Sequence, residues 1–240
     1  MVFTEQMTVG EIAAANPSAA SVFEKYQIDY CCGGQKSLAA ACEEMRLSPA
    51  IVLEEVEQAA PESEATDWTT ASLAELADHI VARHHSYLRT ELPALSGRLA
   101  KVATVHGARY GETLGPLRDT FEGLHDELTS HMFKEEVVLF PWIKRMEEGA
   151  RSGAGLPHGH CGSIRNPISV MEHDHDSAGA ALAEMRRLTG GYTPPPDACT
   201  TFRALYEGLR ALEEDLHQHI HLENNILFVR ASRLEERLLG

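Results

Sequence analysis

From Leu117 to Trp142 one row of residues recurs at steps of 4, 3, 4, 3, 4, 3 and 4: Leu117, Phe121, Leu124, Leu128, His131, Glu135, Val138 and Trp142. This is the spacing of inward-facing positions in a helix bundle, so the segment belongs to a helix packed among others. Two of its core slots hold an imidazole and a carboxylate. Residues four apart lie on one helix face about a turn apart, so His131 and Glu135 aim at one point. The pattern His-x-x-x-Glu returns as His219 and Glu223, inside the row Leu205, Leu209, Leu212, Leu216, His219, Glu223 and Ile226.

Two further rows each carry one histidine among apolar residues. The first runs through Val81, His85, Leu88, Leu92, Leu95, Leu99 and Val102; the other through Ile168, Met171, His175, Ala178, Leu182 and Met185. Four helical segments follow, at about 72–105, 116–147, 167–189 and 198–237. The expected architecture is all-α, an up-down-up-down four-helix bundle. Pro93 is expected to kink the first helix, and the Gly107–Gly115 stretch to close it. GGYTPPPD breaks the chain before the fourth helix, with Asp197 as its expected cap.

Residues 1–59 read as a small helical N-terminal domain, 60–71 as a polar, acidic linker, and 72–240 as the bundle. Thr8 is placed to cap a helix over Val9–Ala15, and Pro17 to open a second that ends near Tyr26. Helical patterns at Ser37–Met45 and Pro49–Gln58 follow, and Thr70 or Ser72 caps the bundle's first helix. A unit of about 60 residues is marginal alone, so it is expected to dock on the bundle or a partner. Between its helices lies IDYCCGGQ, where Gly33 and Gly34 permit a sharp turn. Cys31 and Cys32 beside them are expected to be exposed and reactive, as a redox pair, a transient iron ligand or a nitrosation site.

A net charge of -15 speaks against a nucleic-acid partner, since phosphate binding needs a basic footprint. No apolar run approaches the roughly 18 residues of a membrane helix. The first residues lack the basic and apolar regions of a signal peptide, and five cysteines, an odd number, make no disulfide framework. The expected location is the cytoplasm. Thirteen histidines in 240 residues themselves point to metal chemistry.

A single core histidine is as readily a hydrogen-bonded structural residue as a ligand. Six polar groups in one core, two of them carboxylates, are costly to desolvate without a partner. A metal centre satisfies all six at once. Four imidazoles and two carboxylates that can bridge exceed what one tetrahedral zinc uses. They suit two irons with a position left open. Ferritin-like centres use Glu-x-x-His where these helices use His-x-x-x-Glu, and there is no HExxH of a zinc protease.

HMFKE, MEHDHD and HIHLENNILF resemble the hemerythrin-like di-iron bundle. IDYCCGG ahead of it resembles the ScdA-type N-terminal domain of the repair-of-iron-centres family, and the two together cover nearly the whole chain. The resemblance implies two non-haem irons on the matching positions His85, His131, Glu135, His175, His219 and Glu223. Glu135 and Glu223 would bridge them beside an oxo or hydroxo ligand. Oxygen-carrying hemerythrin uses five histidines; four here weaken a carrier reading. The family implies a stress-response protein that restores damaged iron–sulfur clusters by supplying iron, with damaged iron–sulfur proteins or a cluster scaffold as partners. Nitric oxide and dioxygen are the implied small ligands. Two other readings stay open: a nitric oxide or peroxide reductase at the di-iron centre, and an oxygen or redox sensor. A homodimer is also open.

His158, His160 and Cys161, in the Gly-rich loop 149–166, fall outside the family pattern and read as a further metal site, a lid or plain flexible loop. His84, His173 and His221 lie off the rows and are read as supporting groups or surface. Glu136, Glu172 and Asp174 are read as orienting the ligands or as a solvated face. Cys42 and Cys199 are read as small buried hydrophobes.

Overall fold

The structure is a computed structural model that describes residues 2–59, 66–155 and 162–239; His158, His160 and Cys161 lie outside the described residues. Four short helices open the chain. Helix α1 (Val9–Ala15) starts with a capping box in which Thr8 accepts from Glu11 N and the Glu11 side chain accepts from Thr8 N. Helix α2 (Ala19–Tyr26) follows Ser18 and ends on Gln27 in the left-handed region, so Pro17 lies just outside it. Ser37 caps α3 (Leu38–Met45), and Pro49 opens α4 (Pro49–Gln58). Their inner faces meet in a core of their own that includes Ile12, Phe23, Tyr30, Leu38, Val52 and Val56.

Four rods build the bundle. The first is α5 (Leu73–Ile80), a π turn over Val81–His85, and the first part of α6 (Ser86–Lys134). Ser72, with Glu75, makes the capping box of α5. Helical bonding runs through the Gly107–Gly115 stretch, and the break falls at Tyr110 (φ -120°, ψ 19°). There the chain doubles back, bringing Ser96 against Glu122 at 2.5 Å and His85 against Glu136 at 2.6 Å. The expected glycine loop is therefore helix with one break. Pro93 keeps helical dihedrals, and the non-helical residue inside α6 is Tyr110.

The second rod is the rest of α6, a π turn over Glu135–Leu139, and α7 (Phe140–Ser152). The third is α8 (Arg165–Leu188). The fourth is α9 (Thr200–His221), a π turn over Leu222–Leu227, and α10 (Phe228–Leu239). Asp197 does not cap α9. Its carboxylate is taken by Arg109 and by the Tyr110 hydroxyl across the turn, and Cys199 stands at the cap position. Cys199 is accordingly exposed, whereas Cys42 is buried as expected.

The apolar interior comes in two blocks. One, around Leu88, Leu99, Phe121, Leu182, Leu205 and Leu212, fills the end towards Tyr110. The other, around Leu76, Ile80, Ile143, Met171, Leu227 and Phe228, fills the opposite end. Between them lies one polar layer holding His85, His131, Glu135, His175, His219 and Glu223, each no more than 2% exposed. Burying a leucine contributes about 1.5–3 kcal/mol, so filling this layer with polar groups forgoes that gain and adds a desolvation cost. Chemistry, not packing, accounts for it.

All three π turns touch this layer. A π turn takes one more residue than an α turn, and such turns collect at functional sites. They shift the rows read from the sequence: Leu139 is buried while Val138 is 43% exposed, and Ile80 is buried where Val81 is half-buried. No described helix is long and apolar enough to cross a membrane.

Candidate metal centre

The four imidazoles face one another in two pairs. His85 Nε2 lies 3.3 Å from His219 Nε2, and His175 Nε2 lies 3.1 Å from His131 Nε2. Glu135 Oε2 stands 3.3 Å from both His85 Nε2 and His131 Nε2, so one carboxylate reaches both pairs. Glu223 does the same with separate oxygens: Oε1 is 3.0 Å from His219 Nε2, and Oε2 is 3.0 Å from His175 Nε2. Two four-residue clusters result, His85–Glu135–His219–Glu223 and His131–Glu135–His175–Glu223, each with its ligand atoms within 4.8 Å of one another. The two carboxylates are common to both.

The far side of each ring is arranged for this. His85 Nδ1 bonds Glu136 at 2.6 Å, His131 Nδ1 meets Asp174 at 3.2 Å, and His175 Nδ1 bonds Asn224 Oδ1 at 2.8 Å. Such partners fix tautomer and orientation, leaving Nε2 for the centre. Arg89 and Lys134 hold Glu136 and Asp174 in turn. His219 Nδ1 has no hydrogen-bond partner; its ring is instead stacked on His84, with centroids 5.4 Å apart. Phe140 stacks on His85 and Phe228 on His175, closing the layer from the α7 and α10 side.

Electrostatically the layer is a box of buried charge. Neither oxygen of Glu135 has a hydrogen bond, nor does Oε2 of Glu223. Burial disfavours a charge on His131, but the carboxylates of Glu135 and Glu223 outweigh it and raise its pKa to about 9. For Glu223 burial likewise opposes charge, yet His219 and His175 hold its carboxyl well below the usual carboxylate range. The residues thus fit a pair of cations: two shared carboxylates, four imidazoles, and orphaned buried oxygens that a cation would satisfy. A di-iron site suits this donor set, and a lone tetrahedral zinc would leave donors unused.

The three off-row histidines divide between the two expected roles, supporting group and surface. His84 is 2% exposed, 3.1 Å from Asp215, and His221 is buried against the Tyr30 ring; only His173 is on the surface. Burial lowers the His221 pKa to about 4. Asn224 was not singled out, since amides leave no charge pattern. The ring-stacking Phe140 and Phe228 did leave a signal, since Phe follows Glu by five residues in both echo segments, Glu135 to Phe140 and Glu223 to Phe228.

Cys31 and Cys32 lie outside the layer but next to it. Cys31 is 4% exposed and its thiol pKa is pushed well above the ordinary value by Cys32 and by burial, so the expected exposed, reactive thiol is not found there. Cys32 is half-buried, and its Sγ lies 3.5 Å from the carbonyl oxygen of His175. The loop is pinned by Asn225, whose Nδ2 donates to Tyr30 O at 3.0 Å and Cys31 O at 3.3 Å. Gly34 serves that approach, not a left-handed turn: a Cβ there would stand 2.3 Å from Asn225 Oδ1.

Residues 76–231 match the hemerythrin HHE cation binding domain, and residues 5–60 match ScdA_N, a domain of unknown function. The iron-sulfur cluster repair protein YtfE of Citrobacter koseri is 43% identical over 231 residues, 96% of this chain and 98% of that protein. The chain belongs to the YtfE family of iron–sulfur cluster repair proteins. The protein of that name from Escherichia coli O81 is 42% identical over the same share of both chains. In YtfE-family terms, the described fold is a hemerythrin bundle carrying a small helical N-terminal unit.

Proposed function

We propose that His85, His131, Glu135, His175, His219 and Glu223 hold two iron ions, with both carboxylates bridging, and that the protein supplies iron to damaged iron–sulfur clusters. One observation carries the reading: each carboxylate is buried within reach of both imidazole pairs, and both oxygens of Glu135 and Oε2 of Glu223 have no hydrogen bond. Two cations would neutralise both acids and leave four imidazoles neutral, the state in which they ligate. Mixed nitrogen and carboxylate donors suit iron, and the relatives that span 96% of the chain are named for iron–sulfur cluster repair.

When bound, the iron pair supplies exchangeable, redox-active cations. The chain's own residues do the rest. Glu136, Asp174 and Asn224 hold three rings with Nε2 inward, and Phe140 and Phe228 keep water off two ring faces. Six protein ligands for two ions leave coordination positions to solvent or small molecules, which release to a client requires. The setting is the reducing cytoplasm, where Cys31 and Cys32 stay thiols. The client is a protein with a damaged cluster, or a scaffold that rebuilds one.

The test is restoration of activity to a cluster-damaged, iron–sulfur-dependent enzyme by the purified, iron-loaded chain. Glu135→Leu and Glu223→Leu are each expected to abolish it. Full repair by an iron-free Glu135→Leu/Glu223→Leu double variant overturns the reading.

A further inference from the structure

We propose that Asp29, Cys31 and Cys32 form a third cation site, for a divalent metal of borderline softness, at the inner end of the cleft between the N-terminal unit and the bundle. The cleft has a volume of about 610 Å³. Its wall carries Glu24, Asp29, Asp176, Glu213 and Glu214 against Lys25, Arg186, Arg210 and His217; with Arg186 paired to Glu213, His217 to Glu24 and Lys25 to Glu55, the acids Asp29, Asp176 and Glu214 face Arg210. A lining of this sign raises the local concentration of cations.

The donors are in place. Neighbouring side chains on an extended strand point to opposite faces, yet here the two sulfurs converge to 3.8 Å. Two thiolates on one tetrahedral metal, each bond about 2.3 Å long, stand about 3.8 Å apart. Asp29 Oδ1 already accepts from Cys31 N, Cys32 N and, at 3.3 Å, the Cys31 thiol, so Oδ2, which accepts from Gly33 N alone, is the oxygen left for the ion. The carboxylate is held by donors from Cys31 N, Cys32 N and Gly33 N at 2.9–3.1 Å, and Oδ2 keeps a free lone pair. All three ligand atoms lie within 4.8 Å of one another, and the cleft side leaves the fourth position to solvent.

Sulfur-rich ligation separates this site from the nitrogen and carboxylate centre beside it. Thiolates select iron(II), zinc(II) or their like over the hard cations that carboxylates alone would take. Binding displaces the two thiol protons to solvent, with no change of oxidation state. The site is independent of what the six-residue centre holds. Cys32 Sγ lies 3.5 Å from the backbone of His175, so a cation held here would sit next to that centre without sharing its ligands.

The experiment is anaerobic titration of the full, thiol-reduced chain with cobalt(II), read by absorption. Cobalt in the six-residue centre gives no sulfur-to-metal charge transfer, so a near-ultraviolet charge-transfer band reports the cysteines alone. We expect that band to saturate at a single equivalent, to vanish in Cys31→Ser and in Cys32→Ser, and to persist with weaker affinity in Asp29→Asn. Cys199→Ser is expected to leave it unchanged. Circular dichroism and the metal content of the six-residue centre check that each variant folds. Absence of a sulfur band from the unaltered chain overturns the proposal, whether or not any variant folds. So does a band that, in a Cys161→Ser background, survives the double change Cys31→Ser/Cys32→Ser or that Cys199→Ser removes.

Discussion

Asn224 shows how much one uncharged side chain can matter. Its Oδ1 fixes His175 through Nδ1 at 2.8 Å, and its Nδ2 lies 3.4 Å from Cys31 O, so the amide joins the centre to the N-terminal unit. Truncating such an outer partner typically costs 10–100-fold in metal affinity. Asn224→Ala is therefore expected to weaken iron binding by about that factor with helicity unchanged, read by competition with a chelator. Glu135 gives the opposite sign. Without a cation its oxygens are buried and unbonded, and they draw a proton onto His131. Replacing a whole buried ion pair by hydrophobes is often neutral or stabilising, whereas removing one partner is costly if the other charge stays. Here His131 can shed its proton when its partner leaves, so no charge is left behind. Metal-free Glu135→Leu is thus expected to be more stable than the metal-free parent by about 1–2 kcal/mol in urea unfolding, although it no longer holds iron. A lower stability would show that the carboxylate is structural.

At the scale of elements, the π turns explain both what was legible in the sequence and what was not. Rows of residues at alternating steps of four and three recovered four rods and brought His85, His131, Glu135, His175, His219 and Glu223 into one layer, because regular helix keeps that register up to the layer. Beyond it the register slips by one residue, which exposes Val138, buries Leu139 and sets Phe140 over His85. No heptad row can anticipate that slip. The reversal falls inside the Gly107–Gly115 stretch expected to close the first helix, but at Tyr110 alone, since the glycines around it are compatible with helix. Removing Val138 should turn the Glu135–Leu139 bulge into ordinary helix while leaving Leu139, Trp142, Ile143 and Met146 on the core side. The expected outcome is a folded, helical chain that binds iron far more weakly than the parent, seen in metal content after dialysis. Unchanged iron would mean that the bulge does not serve the centre.

Across the whole molecule, the N-terminal unit and the bundle meet in a close backbone approach. Asn225 sits at the middle of it, bonded to Tyr30 O, Cys31 O and His221 Nδ1, with His217 and Glu24 paired at 2.6 Å to one side. Gly10 and Gly34 make room: a Cβ on either would come within 2.8 Å of the Asn225 side chain. That side chain cannot swing away without giving up its bonds, so Gly34→Ala is an overpacking change of about 1–3 kcal/mol. The prediction is that it lifts the cysteine loop off α8 and α9, so that Cys31, 4% exposed in the docked state, is alkylated faster while helical content and iron content hold. Asn225→Ala alone should also loosen the contact, by removing its hydrogen bonds. Combined with Gly34→Ala, however, it removes the atoms that the new methyl group strikes. The two changes should then cost less together than their sum, the non-additivity expected of residues in contact. Strictly additive effects on the alkylation rate would mean that Gly34 acts through its own loop, and that Asn225 is not what the glycine makes room for.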